Sequence, residues 1–374
     1  MELQRQIAAY LFNSRLLWWR RNHPEVMEKA RYFLGWHEFL AMRLVGRVVI
    51  DRSKAGRWLI YDLESGTWSP ERADEYAISS DILPEILPWG AIIGEIKRTV
   101  VDEVGLPSGV MLAVGGLDLT CAGVGAGILD AGTAGLVSGS FENLLIPSHA
   151  RPTPTMLLNG LSFTPHPGET GAAILALSPT GTMVLNWARK LLGVSIEELD
   201  RALEATPPSP SPVLAVPYLS GAMLHWKEGR RAKGALIGLT LATSAIDIVR
   251  AFMESIAYDH VNTLSILSEE GIRVRCFRAA GGGSRSTWWT QLKADMLNAP
   301  ITVVDQPEPG TLGAALLAGV AVGLFGSLEE GCQAFARSGH TFKPDPIRAA
   351  MHGERLEIYR QLVPTLLSTV FKDG

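Results

Sequence analysis

The sequence predicts an α/β protein, because stretches that read as strands alternate with stretches that read as helices. Two patterns carry this. Residues 110–116, "VMLAVGG", form an apolar run ending in glycine, as a buried strand does on entering a loop. Residues 244–268, "SAIDIVRAFMESIAYDHVNTLSILS", repeat Val249, Met253, Ile256, His260, Leu264 and Leu267 at helical spacing. No internal repeat of solenoid type competes with this reading.

In chain order, residues 1–60 are expected to be largely helical, with Trp18, Trp19, Phe33, Trp36, Phe39 and Leu40 as core or face residues. "RWLIYDLESGTWSPE" follows as a short apolar run and turn, and the strand at 110–116 comes next. "AGLVSGSFENLL" is a second strand and turn, with Gly139 at the turn. Residues 171–193 read as a strand, a Pro/Gly turn, and a helix through Trp187 ending at Gly193. "TPPSPSP" at 206–212 is a loop within one core, since apolar runs flank it on both sides. The helix at 244–268 opens with Ser244 and Asp247, an acidic capping box, and His260 on its stripe reads as a core or boundary histidine. "VRCFRAAGGGSRSTWWTQLKADMLN" is strand, glycine loop and helix; "PITVVDQPEPGTLGAALLAGVAVG" is strand, loop and small-residue helix.

Composition narrows the function. The 374 residues have room for two domains. A net charge of −4 without a run of like charges argues against nucleic acid or an anionic membrane as partner. Cys121, Cys276 and Cys332 are widely spaced and read as reduced thiols, not as a disulfide framework or zinc site. "MELQRQIAAYLFNSRLLWWRR" lacks a signal-peptide pattern, and "LGAALLAGVAVGLFG" is too short and glycine-rich for a membrane span. A soluble, cytoplasmic protein is expected.

Glycine-centred loops follow the apolar strands: "GGLD" at 115–118, "SGSFE" at 138–142 and "GGGSRS" at 281–286. Glycine lets backbone amides approach phosphate oxygens, and a helix starting after such a loop favours an anion. A tight strand-to-helix turn needs glycine in any case, and Asp118 by itself reads equally as a catalytic carboxylate or a turn cap. No G-x-x-x-x-G-K-[ST] is present, and "AGGGSRS" lacks the spacing of a dinucleotide fingerprint, which excludes P-loop and Rossmann readings.

Several segments in the right order resemble the FGGY family of carbohydrate kinases. "SRLLWWRRNHPEV" is similar to the family's "K-L-x-W-L-x-x-x-x-P", with Arg15 for the lysine, and "FLGWHEFLAMRLVG" to its "D-Y-L-x-x-R-L-T-G". "GGLD" resembles the family's "GG-x-D", and "GALIGLTLATSAIDIVRAFMESIAY" its second signature. "AAGGGSRSTWWTQLKADMLNAPI" and "EPGTLGAALLAGVAVG" resemble its adenosine loop and C-terminal helix. The resemblance implies two actin-like, ribonuclease-H-like domains, here 1–130 and 131–374. It also implies ATP with Mg²⁺ and phosphorylation of a sugar or polyol hydroxyl.

Carried over residue by residue, the resemblance makes Asp118 the general base, with Leu119 and Tyr10 beside the substrate. It assigns Gly139, Ser140, Gly181, Thr182, Asn186, Gly282, Gly283, Ser284 and Thr287 to ATP, and no residue to the metal. The family's opening "D-x-G-T-T/S" hairpin has no counterpart in residues 1–20, and "LSGAMLHWKEG" departs from its "S-G-E-R-x-P". The first domain is therefore expected to be N-terminally truncated, lacking its first strand hairpin and leaving the strand at 110–116 without a neighbour. A separate N-terminal fragment is then an expected partner, with homodimerisation left open. The alternative is a non-catalytic pseudokinase or nucleotide-binding module.

Overall fold

The computed structural model describes residues 12–206, 209–226 and 229–371. In chain order these include α1 (Phe12–Asn22), α2 (Trp36–Leu44), β1 (Val49–Asp51), the one-turn α3 (Arg52–Ala55), β2 (Tyr61–Asp62), β3 (Thr67–Trp68), β4 (Glu85–Leu87), β5 (Ile92–Glu95), β6 (Met111–Ala113) and α4 (Asp118–Gly125). There follow β7 (Thr133–Ser138), β8 (Glu142–Pro147), β9 (Ser162–Pro165), β10 (Ala172–Ser178), α5 (Thr182–Leu191), β11 (Leu214–Val216), β12 (Ala235–Ile237) and α6 (Ala245–Glu269). The chain closes with β13 (Cys276–Ala280), α7 (Thr287–Leu297), β14 (Ile301–Val304), α8 (Pro309–Ala321), β15 (Ser338–Phe342) and α9 (Pro346–Thr369). These elements form two compact α/β units.

The first unit comprises Met1–Leu129, Thr164–Ala172 and Glu308–Ala336. Ile50, Trp58, Ile60, Tyr61, Ile78 and Leu83 make one of its cores. The expectation of helix through residue 60 fails at β1, which pairs in parallel with β4. Val49, Ile50 and Asp51 are all buried there, and two β-branched residues side by side suit a covered strand. Of the aromatic and apolar residues expected as core or face, Phe33 packs into this core. Trp18, Trp19, Trp36, Phe39 and Leu40 are exposed. The strand at 110–116 does have a neighbour: β6 pairs antiparallel with β5, which supplies the ladder partner that the sequence alone did not reveal.

Helices α4 and α8 cross with their backbones in contact. A Cβ on Gly125 would lie 1.9 Å from the Pro309 carbonyl oxygen, and one on Gly313 1.9 Å from that of Cys121. Glycine at both positions is what allows this approach. The crossing seats the helix on which Asp118 stands.

The second unit comprises Asp130–Phe163, Ala173–Pro307 and Arg337–Gly374. Its centre is a mixed sheet in which the strands follow in the order β15-β14-β13-β7-β8-β10. Strand β13 runs parallel to both β14 and β7, while β7–β8 and β8–β10 are antiparallel. One core gathers Leu136, Leu144, Ile146, Ile174, Phe277 and Ile301 from the strands. Another joins Val184 of α5 and Val249, Phe252 and Ile256 of α6 to Trp289 of α7. The capping box at the start of α6 forms as expected, with Ser244 Oγ accepting from Asp247 N at 3.1 Å and Asp247 accepting from Ser244 N at 3.0 Å. Of the loop expected at 206–212, the described residues belong to the second unit, with Ser211 fully buried and its N–H donating to Glu254. Residues 207–208 lie outside the described residues.

Candidate active site

Asp118 is the first residue of α4, and its side chain is exposed. Its Oδ1 accepts from the N–H of Leu119 at 2.6 Å, so Leu119 orients the carboxylate through its backbone. This contact to the adjacent amide differs from an N-cap bond to the second or third helical amide. The N-cap position belongs to Leu117.

The turn before Asp118 is fastened from below. Ser53 Oγ accepts from Leu117 N at 2.8 Å and donates in turn to Asp51 Oδ1. The same Asp51 oxygen accepts from the N–H groups of Ser53 and Lys54, capping α3. Burial pushes the Asp51 carboxyl up, against these hydrogen bonds. A Cβ on Gly116 would meet Ser53 Oγ at 3.3 Å and Trp89 Nε1 at 3.5 Å. Beside this support, Lys54 and Glu38 form a buried ion pair at 2.8 Å. Burial lowers the pKa of the Arg57 guanidinium, and the charge of Asp118 acts on it in the opposite sense. Tyr10, the other expected substrate contact, lies outside the described residues.

The expected nucleotide residues all belong to the second unit, where the structure brings three loops together. Gly139 donates its N–H to Phe141 O at 2.9 Å, closing the β7–β8 turn. Thr182 secures that turn, since its N and Oγ1 both donate to Gly139 O, at 2.9 and 2.8 Å. A Cβ on Gly181 would lie 2.6 Å from the same carbonyl, which explains the glycine. Gly281 has φ +93° and sits against Ser138 O, leaving 2.6 Å for a Cβ. Gly283 packs on Ser138 and the Trp289 ring, with 2.7 and 2.8 Å available.

Exposure separates the members. Ser140, Asn186, Gly282 and Thr287 are exposed, whereas Gly283 and Ser284 are buried. Ser284 spends its hydroxyl inside the loop, donating to Gly281 O at 2.7 Å. A Cβ on Gly282 would meet nothing within 4 Å, so its backbone is open to a ligand. An open glycine five residues before the exposed Thr287 at the head of α7 suits an approaching anion. Among the described residues, no group of three or more His, Cys, Asp or Glu could hold a metal ion. Mg²⁺ in such sites is carried largely by the nucleotide phosphates and water.

Beneath the loops lies a buried polar cluster. Lys293 Nζ donates to Glu142 Oε1 at 2.5 Å and to Ser138 Oγ at 3.0 Å. Ser138 Oγ donates to the same oxygen at 2.8 Å, and His260 Nε2 contacts it at 3.1 Å. Burial pushes the Glu142 carboxyl up, but Lys293 and His260 outweigh it and hold the pKa at about 2. Burial also lowers the His260 pKa; neutral His260 must then carry its proton on Nε2 to donate here.

Two family models account for most of the chain: the N-terminal domain of the FGGY family of carbohydrate kinases over residues 3–125, and its C-terminal domain over 132–322. The chain belongs to the FGGY family of carbohydrate kinases, which carry out ATP-dependent phosphorylation of sugars and polyols. It is 25% identical to xylulose kinase of Bacillus subtilis over 350 residues, covering 93% of this chain and 70% of that one. Against L-fuculokinase of Escherichia coli K12 the identity is 26% over 367 residues, covering 97% and 73%. The structure of ligand-bound xylulose kinase from Lactobacillus acidophilus superposes with a TM-score of 0.87 at 25% identity, over 98% of this chain and 76% of that one. The two-unit α/β architecture is thus that of the family.

Sequence reasoning missed Ser53, Arg57 and the pairing of Glu142 with Lys293. One signal was present. Lys293 follows Trp289 by four residues, a lone cation on a helix whose buried residues are mostly apolar.

Proposed function

We propose that this chain transfers the γ-phosphoryl group of ATP to a hydroxyl of a sugar or polyol, with Asp118 as the general base. The observation that carries this is an exposed carboxylate at the head of α4, held by Leu119 N and by a turn that Ser53 fastens. ATP supplies the phosphoryl group. Phosphoryl transfer depends mainly on positioning and charge stabilisation, with one base orienting the nucleophile. Asp118 would accept the hydroxyl proton as that oxygen attacks. In the second unit, Ser140, Gly282 and Thr287 would hold the nucleotide through backbone N–H and hydroxyl groups, with Gly139 and Thr182 shaping the turn beside them. Names of the relatives favour a ketose or deoxyketose of five or six carbons as the sugar.

The thiols of Cys121 and Cys276 suit a reducing, cytosolic setting. No helix among the described residues is long and apolar enough to cross a membrane.

The test is phosphorylation of a panel of pentuloses, hexuloses, polyols and glycerol with Mg·ATP. Turnover lost in Asp118→Asn supports the assignment of the base. Undiminished turnover in that variant overturns it.

A further inference from the structure

We infer that the buried Lys293–Glu142 pair positions the nucleotide loops, making Lys293 and Glu142 positioning residues for ATP. The inference rests on reading the three loops of the second unit as the nucleotide site.

Lys293 lies on the second turn of α7, and its ammonium reaches both ends of the 138–142 loop, Ser138 Oγ and Glu142 Oε1. One cation thus closes the mouth of the β7–β8 turn. The same ammonium sits 3.5 Å from the centroid of the Trp289 ring. That ring bounds Gly283, where a Cβ would come within 2.8 Å, so the 281–286 loop bears on the same centre. Thr182 completes the arrangement, donating twice to Gly139 O while its methyl lies 3.3 Å from the Cβ position of Gly283. His260 of α6 contacts Glu142 Oε1 from the helix behind.

Stability alone does not account for such a pair. Lys293 and Glu142 are both buried, and their desolvation offsets much of the attraction between them. Apolar residues of similar volume often serve stability as well or better. Hydrogen bonds from an ammonium are directional, whereas apolar packing tolerates sliding. Backbone amides that grip phosphates need placement to within about 0.5 Å. A charged anchor under the 138–142 loop, to which the other two loops are tied through Trp289 and Thr182, supplies that placement.

The test compares Glu142→Gln, Lys293→Met and the double variant Glu142→Leu/Lys293→Met in the full chain. Binding of Mg·ADP is measured by calorimetry and the melting temperature alongside. Each single variant is expected to melt lower, because it leaves one buried partner uncompensated. The double variant is expected to recover most of the melting temperature yet bind Mg·ADP about tenfold more weakly. Wild-type affinity in a double variant with restored melting would overturn the inference, since the pair would then serve stability only. Should the double variant fail to fold, Ser138→Ala keeps both charges and removes the hydroxyl between them. It is expected to weaken Mg·ADP binding about threefold, and unchanged affinity there would equally overturn the inference. Absence of Mg·ADP binding by the wild-type chain would instead sink the kinase reading itself, which separates the two failures.

Discussion

The turn that presents Asp118 and the loops assigned to nucleotide are held in place by different physics. In the first unit the turn rests on a hydroxyl and on close packing: Ser53 Oγ, itself held by the Asp51 carboxyl, under Leu117 N, and glycines that let α4 and α8 touch. In the second unit the support is ionic, a Lys–Glu pair buried under three loops. A steric support tolerates loss of a polar atom better than added volume. An ionic support tolerates added volume poorly too, but it fails most sharply when one charge is removed and the other remains.

The comparison can be broken or sharpened by substitution. The largest effect is expected from Asp118→Asn, which should lower kcat by about 10²- to 10⁴-fold, the range for a positioned general base. Mg·ADP affinity should be unchanged, because the proposed nucleotide residues belong to the other unit. Weakened ADP binding in that variant would contradict the division of labour between the units.

Next comes Gly313→Ala, whose methyl would lie 1.9 Å from the Cys121 carbonyl oxygen. Separating two packed helices should cost about 3 kcal/mol, at the upper end for overpacking. Urea unfolding gives the loss, and hydrogen exchange should show it at the amides of α4 and α8 first. Unaltered protection there would mean that the crossing is not needed to seat α4.

The ionic character of the second unit should also appear as pH dependence. Asp259 is buried and accepts hydrogen bonds from Tyr218 and Tyr359 at 2.7 and 3.0 Å. Burial pushes its carboxyl up to about 7, against those two hydrogen bonds. A carboxyl whose folded pKa exceeds its unfolded value stabilises the fold fully below the unfolded value, about 3.8. That stability is lost as pH rises through about 7. This carboxyl should therefore contribute a decline across the window, opposed by buried His166 and His225, whose pKa burial lowers to about 4, and Asp259→Asn should remove that contribution from the slope. An unchanged slope in that variant would assign the dependence to other groups, Glu254 first, whose carboxyl burial also raises to about 7.

The smallest effect is expected from Ser53→Ala, which removes the acceptor of Leu117 N and should cost about 1–2 kcal/mol. The signature that distinguishes positioning from stability is a fall in kcat at unchanged Mg·ADP affinity. Equal loss of both would make Ser53 a general stabiliser.

By itself the sequence determined the features written in local spacing. The turn at Gly139, the Ser244–Asp247 cap, the glycine loops and Asp118 in "GGLD" each involve residues only a few positions apart. Backbone geometry over such distances is set by the residues themselves. Tertiary structure alone decided that β6 pairs with β5, and that the N-terminal tryptophans stay exposed. It also decided that Gly125 meets Gly313, that Ser53 lies under Leu117, and that Lys293 finds Glu142 across 151 residues. Each of those pairings joins segments far apart in sequence, and a single residue type fits many such partners. Which partner it meets is settled only when strands and helices pack and every buried polar group must find its acceptor or donor.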